Sequence, residues 1–154
     1  MDVKYINPFL SGTINVLKTM AFMDVKPGKP FLKKDSIATG DVSGIIGLTG
    51  NATGSLSVTF NFTLIQQIMR NMLGEEVQEV TNDVRDAVGE LTNMISGDAR
   101  RLLQQEGLQL TAAIPTIVAG HNHTIKHVLS GPIIVIPFES EGGGLALVEV
   151  SLKS

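Results

Sequence analysis

The sequence predicts a mixed α/β domain of the α+β kind, with long helices packed on an antiparallel-rich sheet. Two long windows, about 5–22 and 82–106, repeat apolar residues at helical steps of three and four. Between and after them, short segments alternate with period two or carry β-branched runs, and glycine-rich turns separate them. At 154 residues and 43% hydrophobic, with mean hydropathy +0.21, the chain has the length of one ordinary domain and enough apolar material for a core. It is read as a single domain over 1–154.

The elements follow in order. A first helix is expected from about Tyr5 to Phe22, with Ile6, Phe9, Leu10, Thr13, Val16, Leu17 and Met20 at helical spacing. Lys26-Pro27-Gly28-Lys29-Pro30 stops it, because two prolines and a glycine cannot continue a helix. A strand is expected near Phe31–Lys33, then a glycine-punctuated β region from about Ile37 to Thr49. Asn51-Ala-Thr-Gly54 reads as a turn into Ser55–Phe60, whose period of two marks a half-buried strand. A helix from about Thr63 to Leu73 ends at Gly74, a natural residue for the left-handed cap.

A longer helix starts at Asn82 or Asp83, both good caps, and runs to about Glu106 with Gly107 beyond it. Strands are expected near Gln109–Ala119, Ile133–Phe138 and Leu145–Leu152, the last two joined by a hairpin at Glu141-Gly-Gly-Gly144. The triple glycine is not a phosphate cradle, since no helix start or Lys-Ser/Thr follows it. A weak internal repeat pairs Asn15 with Asn93, and each half is a helix followed by strands. In that pairing Gly12 stands where the second copy has Glu90.

Composition excludes several function classes. Twelve Lys and Arg against fifteen Asp and Glu give a net charge of −3, with no basic run, so nucleic acid is not an expected partner. The absence of cysteine excludes disulfides, thiolate metal sites and Cys nucleophiles. The first residues carry no basic segment leading into an apolar one, and the longest apolar stretches, such as Ile133–Ile136, fall far short of the ~18 residues of a membrane span. A soluble, cytoplasmic domain without membrane insertion is expected.

The long second-half helix carries the chemistry. Val84, Val88, Leu91, Ile95, Ala99 and Leu102 form one stripe, expected to pack on the sheet. Asp86, Glu90, Asn93, Gly97 and Arg100 form a second on roughly the opposite side. An amphipathic helix always has a wet face, so this stripe need be nothing more. Two mid-helix glycines, Gly89 and Gly97, sit beside it although each costs about 1 kcal/mol against Ala. Their missing side chains would let another surface approach Glu90 and Asn93. A carboxamide does not titrate usefully, but its donor and acceptor can orient a water and a phosphoryl oxygen. Phosphoryl transfer is a reaction in which such placement can suffice. The chain shows no phosphate loop, metal-binding carboxylate cluster or activated nucleophile, so the pair would have to complete a site supplied by another protein.

Asp86-Ala-Val-Gly-Glu90-Leu-Thr-Asn93, with Pro115 twenty-two positions later, resembles the acidic/Ser-x3-Glu-x2-Asn…Pro signature of the CheC/CheX/FliY phosphatases. The likeness extends through Tyr5–Phe9, Thr13–Thr19, Val25–Pro30, Asp41–Gly50, Leu73–Glu76 and Asn122–Ile125, and the single Glu-x2-Asn helix makes it most similar to the CheX branch. The resemblance implies dephosphorylation of a CheY-type response regulator. It gives Asn93 the orientation of the attacking water and Glu90 a pairing with the regulator's active-site lysine. It also implies that Mg²⁺ belongs to the regulator, that this chain binds no metal or cofactor of its own, and that the protein is a homodimer joined through its sheets. Asp86 is either a peripheral docking contact or an ordinary surface residue, and Pro115 is expected to end a strand or shape a loop.

Other signals have plainer readings. His121, His123 and His127 have a metal-like spacing but no carboxylate nearby in sequence, and read as surface histidines beside a turn. Ile65, Ile68, Met69, Met72 and Leu73 read as core packing, and Arg100-Arg101 beside Asp98 as a solvated face. The competing function class is a non-catalytic module that holds a receiver domain or flagellar-motor component.

Overall fold

The computed structural model describes residues 3–35, 39–125, 127 and 131–153. A short 3-10 turn leads into α1 (Asn7–Ala21); two short strands, β1 (Val25–Pro27) and β2 (Phe31–Leu32), precede the long hairpin β3 (Val42–Gly50) and β4 (Thr53–Phe60). After α2 (Phe62–Leu73) the pattern repeats: α3 (Asn82–Gln105), short strands β5 (Leu110–Ala112) and β6 (Thr116–Ala119), and the long hairpin β7 (Ile134–Ser140) and β8 (Leu145–Lys153). Among the described residues these strands form one antiparallel sheet ordered β1-β7-β8-β4-β3-β5, with β2 also on β7 and β6 also on β3. Each half therefore lends its two short strands to the long hairpin of the other, and β4 meets β8 at the centre, from Thr53↔Lys153 to Phe60↔Ala146. The element order expected of the weak repeat recurs in the two halves, but in the helices burial aligns Gly12-Thr13 with Leu91-Thr92 rather than Gly12 with Glu90.

The helices cover one face. Leu56, Val58 and Phe60 of β4 and Ala146, Val148 and Val150 of β8 point into the core against them, as the pleat requires. Two glycines set how closely α3 seats. A Cβ at Gly12 of α1 would lie 3.3 Å from the Ile95 carbonyl oxygen and the Ala99 nitrogen, so the two helices touch almost backbone to backbone. A Cβ at Gly44 of β3 would lie 2.0 Å from Thr92 Oγ1, so Thr92 occupies the space that a side chain on β3 would fill.

Several expectations change. The first helix is shorter than expected, because Phe22 turns left-handed (φ 54°) at its end. The linker read only as a helix stop holds β1, paired Val25↔Ser140. The β region expected from Ile37 begins at Val42, and Ile37 itself lies outside the described residues. The strand expected over Gln109–Ala119 is broken into β5 and β6, with Pro115 in the gap. Thr81, not Asn82 or Asp83, caps α3, accepting a 3.2 Å hydrogen bond from the Val84 nitrogen. Leu103 rather than Leu102 ends the buried stripe, and Leu73 is 53% exposed rather than core. Gly74 does cap α2, and Gly142 and Gly143 (φ +90° and +93°) form the expected hairpin turn.

The period of two in β4 suggested one wet face, but Ser55, Ser57 and Thr59 are buried as well. The polar face is covered partly by the histidines: His123 Nε2 is hydrogen-bonded with Ser43 Oγ at 2.6 Å and His127 Nδ1 with Ser55 Oγ at 2.5 Å. There the His127 Nε2–H donates to Glu149 Oε1 at 3.0 Å, and Lys33 Nζ donates to both Glu149 oxygens at 2.8 Å, all three side chains being nearly inaccessible. Burial pushes the Glu149 carboxyl up, but the hydrogen bonds and charges of His127 and Lys33 together hold it below its ordinary value. Removing one member of a buried ion pair leaves the others uncompensated. Glu149→Gln is therefore expected to cost about 3 kcal/mol, roughly 6–12 °C in thermal midpoint by calorimetry. Stability from a lowered carboxyl is complete above its unfolded value of about 4.3 and is lost as pH falls through the folded value. The gap between wild type and Glu149→Gln should accordingly narrow below about pH 4.

Candidate functional site

The outer face of α3 is built by what its inner face must do. Val84, Val88, Leu91, Thr92, Ile95 and Ala99 are buried against α1 and the sheet, which fixes the rotation of the helix about its axis. At 100° per residue this turns Asp86, Glu90 and Asn93 outward, and all three are exposed. Glu90 is four residues after Asp86 and three before Asn93, so the three side chains are neighbours on the surface. Among the described residues, neither the Glu90 carboxylate nor the Asn93 carboxamide has a hydrogen-bond or ion-pair partner. Two polar groups side by side, held on a rigid helix and uncommitted to the fold, are available to something else.

The flanking glycines differ. A Cβ at Gly89 would make ordinary contact, 3.5 Å, with Ile117 Cδ1 of β6. At Gly97 it would meet only the Arg100 guanidinium, at 3.9 Å. Nothing described within the chain requires Gly97 to lack a side chain. Arg100 continues the stripe half-buried, its Nε–H donating to Ser96 Oγ at 3.2 Å, while Arg101 pairs with Asp98 at 3.0 Å. On α1, Gly12 is closed against α3.

The site is a convex helix surface, not a cleft. Hollows of about 540 and 490 Å³ lie elsewhere, one beside Arg100, Arg101, Gln104 and Thr111, the other beside Phe31, Leu32, Val135 and Leu147. An exposed helix face that holds two polar groups side by side suits a partner that brings its own cleft. The three histidines do not converge: His121 reaches Asp41 at 2.9 Å, and the other two take the partners described above. Only His121 is a surface histidine as expected; His123 is half-buried and His127 buried, because Ser43, Ser55 and Glu149 draw them onto the sheet.

Residues 42–139 match the family described as Chemotaxis phosphatase CheX. The chain belongs to that family. Its fold is shared with a CheC-like superfamily protein from Shewanella sp. PV-4, 51% identical over all of both chains with a TM-score of 0.92. It is 27% identical over 138 residues to the CheY-P phosphatase CheX of Thermotoga maritima, covering 89% of this chain and 88% of that one. A CheX–CheY–BeF3–Mg²⁺ complex from Borrelia burgdorferi contains a chain 25% identical to this one, with 97% and 98% coverage and a TM-score of 0.82. Family membership makes α3 part of a protein phosphatase. No described helix is long and apolar enough to cross a membrane.

Sequence reasoning missed two features. The Lys33–Glu149–His127 network joins residues 116 and 22 positions apart, and no local pattern announces it. Ile114, expected within a strand, is instead 89% exposed, and the proline after it is the signal that marks the break. The two kinds of glycine contact can be separated by mutation. Gly97→Ala should raise stability by up to about 1 kcal/mol, since a methyl there meets no obstacle and Ala is the better helix former. Gly44→Ala should lower it by about 1–3 kcal/mol, because Thr92 must move. Denaturant unfolding of both variants is the check; equal shifts would contradict the packing described for α3.

Proposed function

We propose that this chain dephosphorylates the aspartyl phosphate of a phosphorylated CheY-type response regulator, presenting Glu90 and Asn93 to the regulator's own active site. The observation that carries this is the exposed, internally unpartnered Glu–Asn pair on a convex helix of a CheX-family chain. The relative from Thermotoga maritima is named for CheY-P, and the complex from Borrelia burgdorferi joins a CheX to a CheY.

In this reading the Asn93 Oδ1 accepts a hydrogen bond from a water while Nδ2–H donates to a phosphoryl oxygen, lining the water up behind phosphorus. The water's oxygen bonds to phosphorus as the bond to the aspartyl carboxylate breaks. The products are a free carboxylate and inorganic phosphate, with the water's protons passing to phosphate and solvent. Asn93 takes no proton, so its contribution is orientation and exclusion of unproductive geometries. Glu90 pairs with the regulator's active-site lysine and holds the two proteins in register. Asp86, one turn earlier, is a peripheral contact, and Gly97, whose missing side chain would meet only Arg100, leaves room for the partner's surface, while Gly89 faces Ile117 of this chain.

Asp86 and Glu90 belong to no group of three ligating side chains among the described residues, and magnesium is assigned to the regulator's site. There it neutralises phosphoryl charge. A cytoplasmic location goes with such a partner. A homodimer through a sheet edge completes the proposal; the β2 edge, where Phe31 and Leu32 are exposed, is available for it. Sedimentation should then give a dimer mass that Leu32→Glu reduces, and a monomeric wild type would count against the dimer.

The deciding experiment follows the decay of a Mg²⁺-loaded, phosphorylated CheY-type receiver with and without this protein. Wild type should accelerate decay, and Asn93→Ala should lose that acceleration by on the order of 10²-fold while still binding the receiver. Binding without acceleration by wild type would favour the non-catalytic holding module instead.

A further inference from the structure

The gap between β5 and β6 lies beside the Glu90/Asn93 face. Two anchors place it. Near its start, α3 meets β6 where Gly89 faces Ile117, and near its end Arg100, Arg101 and Gln104 share a hollow with Leu110 and Thr111 of β5. Between these anchors the helix advances roughly 20 Å at 1.5 Å per residue, and the edge strands run back over a similar length at about 3.3 Å per residue. Residue 114 therefore stands opposite the turn of α3 that holds Asn93 and Gly97, at a separation on the order of 10 Å, the spacing of packed elements.

The local backbone explains why an apolar side chain stands out there. Both β5 and β6 pair with β3, from Leu48↔Ala112 and Ile45↔Thr116, so three residues of the edge face only two of β3. The Ala113 nitrogen still bonds to the Gly47 oxygen at 3.0 Å, but Pro115 has no N–H to give. The chain bulges, and Ile114 is turned out to 89% exposure, the highest value among the exposed large hydrophobic side chains of the described residues.

We infer that Ile114 is an apolar docking contact for the receiver domain, held outward by the bulge at Pro115 and acting on affinity rather than on the chemical step. This rests on the phosphatase reading above, which puts the receiver over Asn93. A specific protein interface covers about 800 Å² on each partner, a disc of roughly 16 Å radius. A receiver centred on Asn93 thus covers Ile114. Within such a disc, burying an exposed large apolar side chain is worth about 1.5–3 kcal/mol, tenfold or more in affinity. Gly97, open toward the same side, leaves the approach clear.

The test measures initial dephosphorylation rate against receiver concentration, and receiver affinity by titration calorimetry, for wild type, Ile114→Asp, Ile114→Leu and Phe22→Asp. Phe22 is a control of similar exposure, 73%, beside the end of α2, where the Ala21 carbonyl accepts from Asn71. Ile114→Asp should raise both the half-saturating concentration and Kd about tenfold, with the maximal rate within twofold of wild type. Ile114→Leu and Phe22→Asp should match wild type. Unchanged affinity in Ile114→Asp, with Asn93→Ala still inactive, would overturn the docking role and leave the phosphatase reading standing. If wild type binds a receiver without accelerating its decay, the Kd ratio alone judges Ile114. If wild type binds no CheY-type receiver, both readings fall.

Discussion

Close approach at two glycines is the constraint on which the rest of the molecule depends. Gly12 lets α1 lie nearly backbone to backbone on α3, and Gly44 lets Thr92 sink onto β3. Together they fix both the height of α3 above the sheet and its rotation. An error of one residue in that rotation, 100°, would turn Asn93 into the helix flank and bring a core residue to the surface. The positions that hold the site are therefore glycines and a threonine on its buried side, none of which touches the partner in the proposed reaction.

The two-fold arrangement of the sheet brings the two long helices together on one face. Each half supplies a helix, two short strands and a long hairpin, and the short strands cross to the other half. The helices meet face to face, and packing two helices this closely needs a small residue on at least one of them. In α1 that residue is Gly12, buried against α3, whereas Glu90 of α3 is exposed.

The opposite face of the sheet is organised by different physics. Its serines, threonines and Glu149 are buried under side chains from distant segments, so its polar groups depend on partners within the protein. Among the described residues Ser43, Ser55, Thr59 and Glu149 find them and Ser57 does not. Lys33 and His127 do this for Glu149, tying the segment after β2 and the segment before β7 to one point on β8. Helix α3 and the ion network stand on opposite sides of the same sheet, so changes to one should be felt by the other only through the strands.

The sequence by itself determined the elements with local causes: the helical windows, the cap at Gly74, the hairpin at Gly142 and Gly143, and the outward stripe of Asp86, Glu90 and Asn93. Each follows from periodicity or backbone preference within a few residues, and a motif embedded in matching sequence was enough to indicate the phosphatase family. Tertiary structure alone decided which edge pairs with which hairpin, that the polar face of β4 is buried, and that three histidines spaced like ligands go to separate partners. It also decided that Pro115 breaks an edge strand and exposes Ile114. These depend on contacts between residues tens of positions apart, where the energy lies in burial and pairing with partners that no local pattern names.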